Sequence, residues 1–143
     1  MAMSNSLVDV IDALILVLKN SMFFDSSNVW YGDEQLIPRT PSASVDPSPG
    51  ISSELVETGM TVVNNFDIAI IVYHAKLGSQ QTSRRDCDIL AMGVRDLLHE
   101  DKKLGGLVFN SYVKSVEPGF SQRGQSVMMA TQLTWNGRSK VRI

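Results

Sequence analysis

The 143 residues carry 13 Lys and Arg against 15 Asp and Glu, a formal net charge of −2 that gives the whole molecule no strong pull towards nucleic acid or an anionic membrane. At 43% hydrophobic and 20% charged residues the composition is globular, and the length suits one domain. The single cysteine, Cys87, excludes an internal disulfide and a cysteine-rich metal site.

Charge divides unevenly along the chain. Residues 1–75 hold nine acids and two bases, a net of −7, while residues 76–143 hold six acids and eleven bases, a net of +5. If copies meet head to tail, an acidic surface can face a basic one; if folding intermingles the halves, the split has no consequence.

The first predicted element is a helix from Asn5 or Ser6 as N-cap, with Leu7, Val10, Ile11, Leu14, Val17, Leu18 and Met22 on one face. Leu16 is the lone apolar residue on its wet side. Asp9 and Asp12 interrupt the apolar run and no basic region precedes it, so neither a signal peptide nor a membrane span is expected. A short strand Asn28-Val-Trp-Tyr31 follows. Residues 32–50 then hold four of the five prolines and read as a Pro-rich loop, with Ser42 to Asp46 as a short edge strand.

Glu54 to Val63 is strand-like, with Gly59 as a bulge, and Asn64-Asn65 is the expected hairpin turn. Phe66 to Ala75 is the most apolar stretch. Phe66, Ile68, Ile70 and Val72 point one way and Ala69, Ile71 and Tyr73 the other, which predicts a central strand covered on both faces by helices or by another subunit. From Ser83 to His99, Cys87, Leu90, Ala91, Val94, Leu97 and Leu98 recur at helical spacing and form one core-facing stripe. Gly105-Gly106 suits a tight corner before a strand from Gly106 to Val116. Glu117-Pro118-Gly119 reads as a turn. The last strand points Val127, Met129, Thr131, Leu133 and Trp135 inward, Asn136-Gly137 ends it, and residues 136–143 form a basic tail. The whole is a single α+β domain over residues 1–143, a small antiparallel-rich mixed β-sheet flanked by two main helices.

No reactive constellation emerges. His74 and His99 lie far apart, no local His/Asp/Glu spacing makes a metal site, and no serine sits in a G-x-S-x-G elbow. Gly105-Gly106 lacks the phosphate-loop pattern. The expectation is therefore no catalytic residue, no metal and no cofactor. Nucleic-acid binding is the fairer rival: Arg84 and Arg85 open the helix, and Arg123, Arg138, Lys140 and Arg142 come late, but without interleaved exposed aromatics. The stronger lead is apolar residues in excess of one core face: Ile89 and Met92 opposite the helix stripe, Ile71 and Tyr73 on the far face of the central strand, and Met128 on the outer face of the last one. Buried between copies, these five would be subunit-interface residues of a homo-oligomer.

The leading helix Leu7 to Leu18, Trp30-Tyr-Gly32 before the proline-bracketed Ser42 to Asp46, and the apolar strand Phe66 to Ala75 come in that order. The helix end Val94-Arg-Asp-Leu-Leu-His99, then Leu104-Gly-Gly-Leu-Val108, Val113-Lys-Ser-Val-Glu-Pro-Gly119 and Leu133-Thr-Trp135 complete the series. Taken together, this order resembles the tail terminator (tail completion) proteins of long-tailed bacteriophages. Each motif is short; their succession over nearly the whole chain carries the likeness. The length of the Gly32 to Gly50 loop departs from many relatives.

The resemblance implies a structural virion protein assembled in the host cytoplasm and located at the tail or neck. It implies a homohexameric ring that caps the tail tube, ends its polymerisation, joins the tail to the head or neck and lets DNA pass unread. The implied partners are other copies of the chain, the tail tube protein and a head-to-tail connector or neck protein, with no membrane. Arg123, Arg138, Lys140 and Arg142 would face a protein partner or the passing DNA. The alternatives are a head-to-tail connector or stopper of the neck, and a nucleic-acid-binding module.

Overall fold

In the computed structural model, which describes residues 7–32, 40–55, 61–74, 80–123 and 126–142, the apolar strand predicted from Phe66 becomes the middle of the sheet. The elements are α1 (Leu7–Lys19), β1 (Val29–Tyr31), β2 (Ser42–Leu55), β3 (Thr61–His74), α2 (Gln80–Glu100), β4 (Asn110–Arg123) and β5 (Ser126–Arg142). Strand order is β1-β2-β3-β5-β4, with β1 parallel to β2 and every other pair antiparallel. The fold is therefore α+β with a mixed, antiparallel-rich sheet and two main helices.

Both helices pack on one face of that sheet. Alternation along β3 sends Phe66, Ile68, Ile70 and Val72 to this side, joined by Ala43 and Val45 of β2 and by Leu133 and Trp135 of β5. Val10, Ile11, Leu14 and Leu18 of α1 and Cys87, Ala91, Val94 and Leu98 of α2 close the layer from above. The helix stripes read from sequence are thus the buried ones, and Leu16 is exposed as expected. Met22 is not on the α1 face, because the helix stops at Lys19 and leaves that side chain fully exposed. On the opposite face Tyr73, Met128 and Ala130 form a second, smaller buried cluster, with Ile71 packed against it.

Turn signals misplace four boundaries. Asn64 and Asn65 lie inside β3, paired with Ser53 and Ser52 of β2 and with Ser139 and Arg138 of β5, so hydrogen bonding on both sides overrides their turn preference. Glu117-Pro118-Gly119 continues β4, which tolerates a proline because it is an edge strand. Ser42 to Asp46 opens a fourteen-residue strand with neighbours on both sides, and Pro47 falls in its bulge between Asp46 and Pro49. Residues 42–50 are thus strand and not loop, while residues 33–39, like Gly59 and the proposed caps Asn5 and Ser6, fall outside the described residues. Asn136 and Gly137 are likewise within β5, so residues 136–142 are strand rather than tail.

The corner before β4 does use glycine freedom. Gly105 and Gly106 have φ of +66° and +97° in a short 3-10 turn, Leu104–Gly106, and β4 begins only at Asn110. His99 at the end of α2 accepts the Val113 N–H on Nε2 at 3.0 Å, beside the β4 bulge between Val113 and Ser115. That bond ties the last helix turn to the edge strand.

Gly137 has a different reason to be glycine. A Cβ there would stand 2.2 Å from the Trp135 indole, which lies over the backbone two residues on. Gly137→Ala is expected to lower stability by about 1–3 kcal/mol in urea unfolding, the range for overpacking a filled core. Gly119→Ala, whose added Cβ meets nothing closer than 3.8 Å, should change it little. Equal midpoints for the two variants would refute this account of Gly137.

Candidate functional site

On the solvent side of α2, Ile89 is 60% exposed and Met92 is 38% exposed, as the helix periodicity predicts for residues opposite the buried stripe. Gly93 lets a loop side chain settle on this helix. A Cβ on it would stand 2.9 Å from the Phe23 ring, so glycine lets that ring lie directly on the helix. Phe23 also meets Phe24 edge-on at 6.5 Å, and Phe24 is buried in the core. The fully exposed Met22 immediately precedes Phe23. Ile89 and Met92 are therefore exposed on the same helix as the Phe23–Gly93 contact, while Met22 lines a depression with Phe24, Asp25, Asn28, Thr40 and Pro41. Met22 escapes sequence reasoning because its spacing places it on the α1 stripe.

The other three expected interface residues sit elsewhere. Tyr73 is fully buried and its hydroxyl lies 3.4 Å from Ser44 Oγ, while Met128 is buried beside it. These two are already enclosed within the subunit and add nothing to its exposed apolar surface. Ile71 is half-buried and lines a shallow depression of about 280 Å³ with Tyr73, Glu117, Pro118, Ala130 and Gln132. The five residues thus divide between two opposite faces of the molecule instead of forming one patch.

The N-terminal half of α2 carries a polar clamp. Arg84 donates through Nη1 to the Gly119 carbonyl and through Nη2 to Thr131 Oγ1 and to Asp88 Oδ1, the last at 2.6 Å. Thr131 is buried, and its hydroxyl also donates to Asp88 at 3.3 Å. Arg84 therefore fastens the helix to β4 and β5, so sequence reading errs in counting it with Arg85 as a surface cation. Cys87 adjoins the same group, 3.5 Å from Thr131 Oγ1 and 3.6 Å from the Val72 carbonyl.

Burial pushes the Cys87 thiol above its ordinary value; the Thr131 hydrogen bond and the Arg84 charge pull it back in part, and Asp88 raises it further. A protonated, enclosed thiol is a poor nucleophile, as expected from its place in the stripe.

Of the basic residues, Arg138 and Lys140 are exposed on β5 and both stand over the Phe109 ring, at 5.9 and 5.1 Å from its centroid. Phe109 is itself exposed, an aromatic beside cations that sequence reasoning assigns to a strand interior. The side chains of Arg123 and Arg142 lie outside the described residues. Among the described residues no group of three or more His, Cys, Asp or Glu is placed to hold a metal ion, and no helix is long and apolar enough to cross a membrane. No family model matches the chain, and no curated protein matches it.

Native Cys87 should react with a thiol reagent at pH 7 at least about a hundredfold more slowly than in urea-unfolded protein, where the thiol regains its ordinary acidity and access. Comparable rates in the two states would mean that the thiol is open in the native fold.

Proposed function

We propose that the protein is a structural subunit that assembles with copies of itself into a ring, caps a phage tail tube and joins it to the neck. The observation that carries this reading is the exposed apolar pair Ile89 and Met92 on the solvent side of α2, where Phe23 packs on Gly93. Apolar side chains gathered this way favour burial against another protein surface. The order of elements along the chain, which resembles tail terminators, supplies the kind of assembly. The opposed charges of the two halves, −7 and +5, suit a head-to-tail contact, in which different surfaces of successive copies meet and the rotation closes a ring.

In this reading α2 is an interface helix with a division of labour along its length. Arg84, Asp88 and Cys87 hold its inner side to the sheet, so that Ile89 and Met92 are presented on a fixed support. The ring is a homohexamer, its neighbours along the tail axis are the tail tube protein and a connector of the neck, and its role is to stop and to join without chemistry.

Met92→Asp places a charge at the centre of this surface without touching the core. The variant is expected to remain folded, with circular dichroism and melting temperature close to those of the parent, and to lose higher-order assembly in light scattering, alone or with tube protein present. Unchanged assembly by Met92→Asp would remove the helical layer from the interface.

A further inference from the structure

The face of the sheet away from the helices holds a polar cluster centred on Asn136. This residue of β5 pairs with Asp67 of β3 on one side and Tyr112 of β4 on the other, and is only 7% exposed. Its Nδ2 lies 2.8 Å from Asn65 Oδ1, 2.9 Å from Asp67 Oδ1 and 3.4 Å from the Phe66 carbonyl, three acceptors for two protons.

Lys114 reaches the same cluster from the edge strand. Val113 pairs with Trp135 and Ser115 with Thr134, so Lys114 is the extra residue of the β4 bulge. Its Nζ stands 3.2 Å from Asp67 Oδ1, which takes it across β5, the strand that carries Asn136. The two side chains of this ion pair are 42% and 20% exposed, so their attraction adds little to stability. One carboxylate oxygen thus holds a primary amine on one side and a primary amide on the other. A nucleophile, an electrophilic carbonyl carbon and a base touching both nitrogens are the parts needed to move an acyl group from nitrogen to nitrogen.

We infer that Lys114 and Asn136 join in an isopeptide bond, with Asp67 relaying the protons. Asp67 takes a proton from the ammonium group, and the neutral amine attacks Asn136 Cγ. The Nζ–Cγ bond forms and the Cγ–Nδ2 bond breaks. Of the three ammonium protons one stays on the new amide, and two pass through Asp67 to the departing nitrogen, which leaves as ammonium. Asp67 ends as the carboxylate it began as, and no other reactant is consumed. Hydrogen bonds to Asn65 and to the Phe66 carbonyl hold the amide still, while the flexible Lys114 stem carries Nζ from the carboxylate to Cγ. Asp67 is the poorer acyl group, because its own negative charge opposes a nucleophile. The link fastens the edge strand β4 to β5 at the bulge, where the ladder is interrupted. It forms within one subunit and stands whether or not the chain closes into a ring.

The test is the intact mass of the denatured full chain, freshly purified and after incubation at mildly alkaline pH. The mass is expected to fall about 17 Da below that of the sequence, one ammonia lost for one bond formed. Trypsin should then leave Lys114 uncut and yield residues 104–123 joined to residues 124–138. Lys114→Arg keeps a cation beside Asp67 but has no attacking amine, and should retain the full mass. Asp67→Asn keeps the shape and removes the base, so its linkage should be at least about a hundredfold slower, the lower range of general acid–base catalysis. Circular dichroism of both variants should match the parent. A parent that keeps its full mass throughout overturns the proposal. So does the same loss with Lys114 still cleaved, which marks a succinimide at Asn136-Gly137. A loss of about 18 Da with Lys114 joined to residue 67 overturns it in favour of Asp67 as the acyl donor. Linkage in Asp67→Asn at the parent rate overturns the relay.

Discussion

The structure depends on the packing of two helices against the helix-facing side of β3. That strand is hydrogen-bonded along its length to β5 and over most of it to β2, so its direction fixes the sheet, and its inward residues Phe66, Ile68, Ile70 and Val72 fix the depth of the core. Each such side chain contributes about 1.5–3 kcal/mol when fully buried, far above the local preferences that act on a single residue. α1 covers the β1–β2 side and α2 lies across β3, β5 and β4, so neither helix can move without uncovering part of the same layer.

The edges of the sheet bear on how the molecule associates. β4 is one edge, and Pro118 interrupts its row of backbone donors. β1 pairs with β2 only over Ala43 to Val45, and Pro47 and Pro49 follow at once with the bulge. Proline and bulges are the usual devices that keep an exposed edge from recruiting another strand. Their positions favour association through packed faces over continuation of the sheet. This suits the apolar side chains presented on α2 and the proposed assembly through side-chain contacts.

The polar clamp of Arg84, Asp88 and Thr131 and the bond from Val113 N–H to His99 hold α2 near its two ends. The helix is tied down at both places by polar groups and in between by its apolar stripe. A surface offered to a partner from such a support loses little freedom on binding, which favours affinity without extra contact area.

Periodicity alone determined both helix stripes apart from Met22, the central place of the strand after Phe66, the inward set from Met129 to Trp135 on the last strand and the enclosed setting of Cys87, because these follow from spacings of 3.6 and 2 acting on strongly apolar residues. The same reasoning correctly left Ile89 and Met92 outside the core. It failed at Asn64-Asn65, Glu117-Pro118-Gly119 and Asn136-Gly137, where turn-forming residues sit inside long strands: a local turn preference is weak beside hydrogen bonding to neighbours remote in sequence. Alternation also sent Tyr73 and Met128 to the far face, where the tertiary structure buries them together within the subunit. Only the three-dimensional fold decided that Gly137 makes room for Trp135, that Gly93 receives Phe23, and that Lys114 and Asn136 meet at Asp67. Each of these joins residues whose nearness comes from strand register and chain reversal, and no local pattern encodes that.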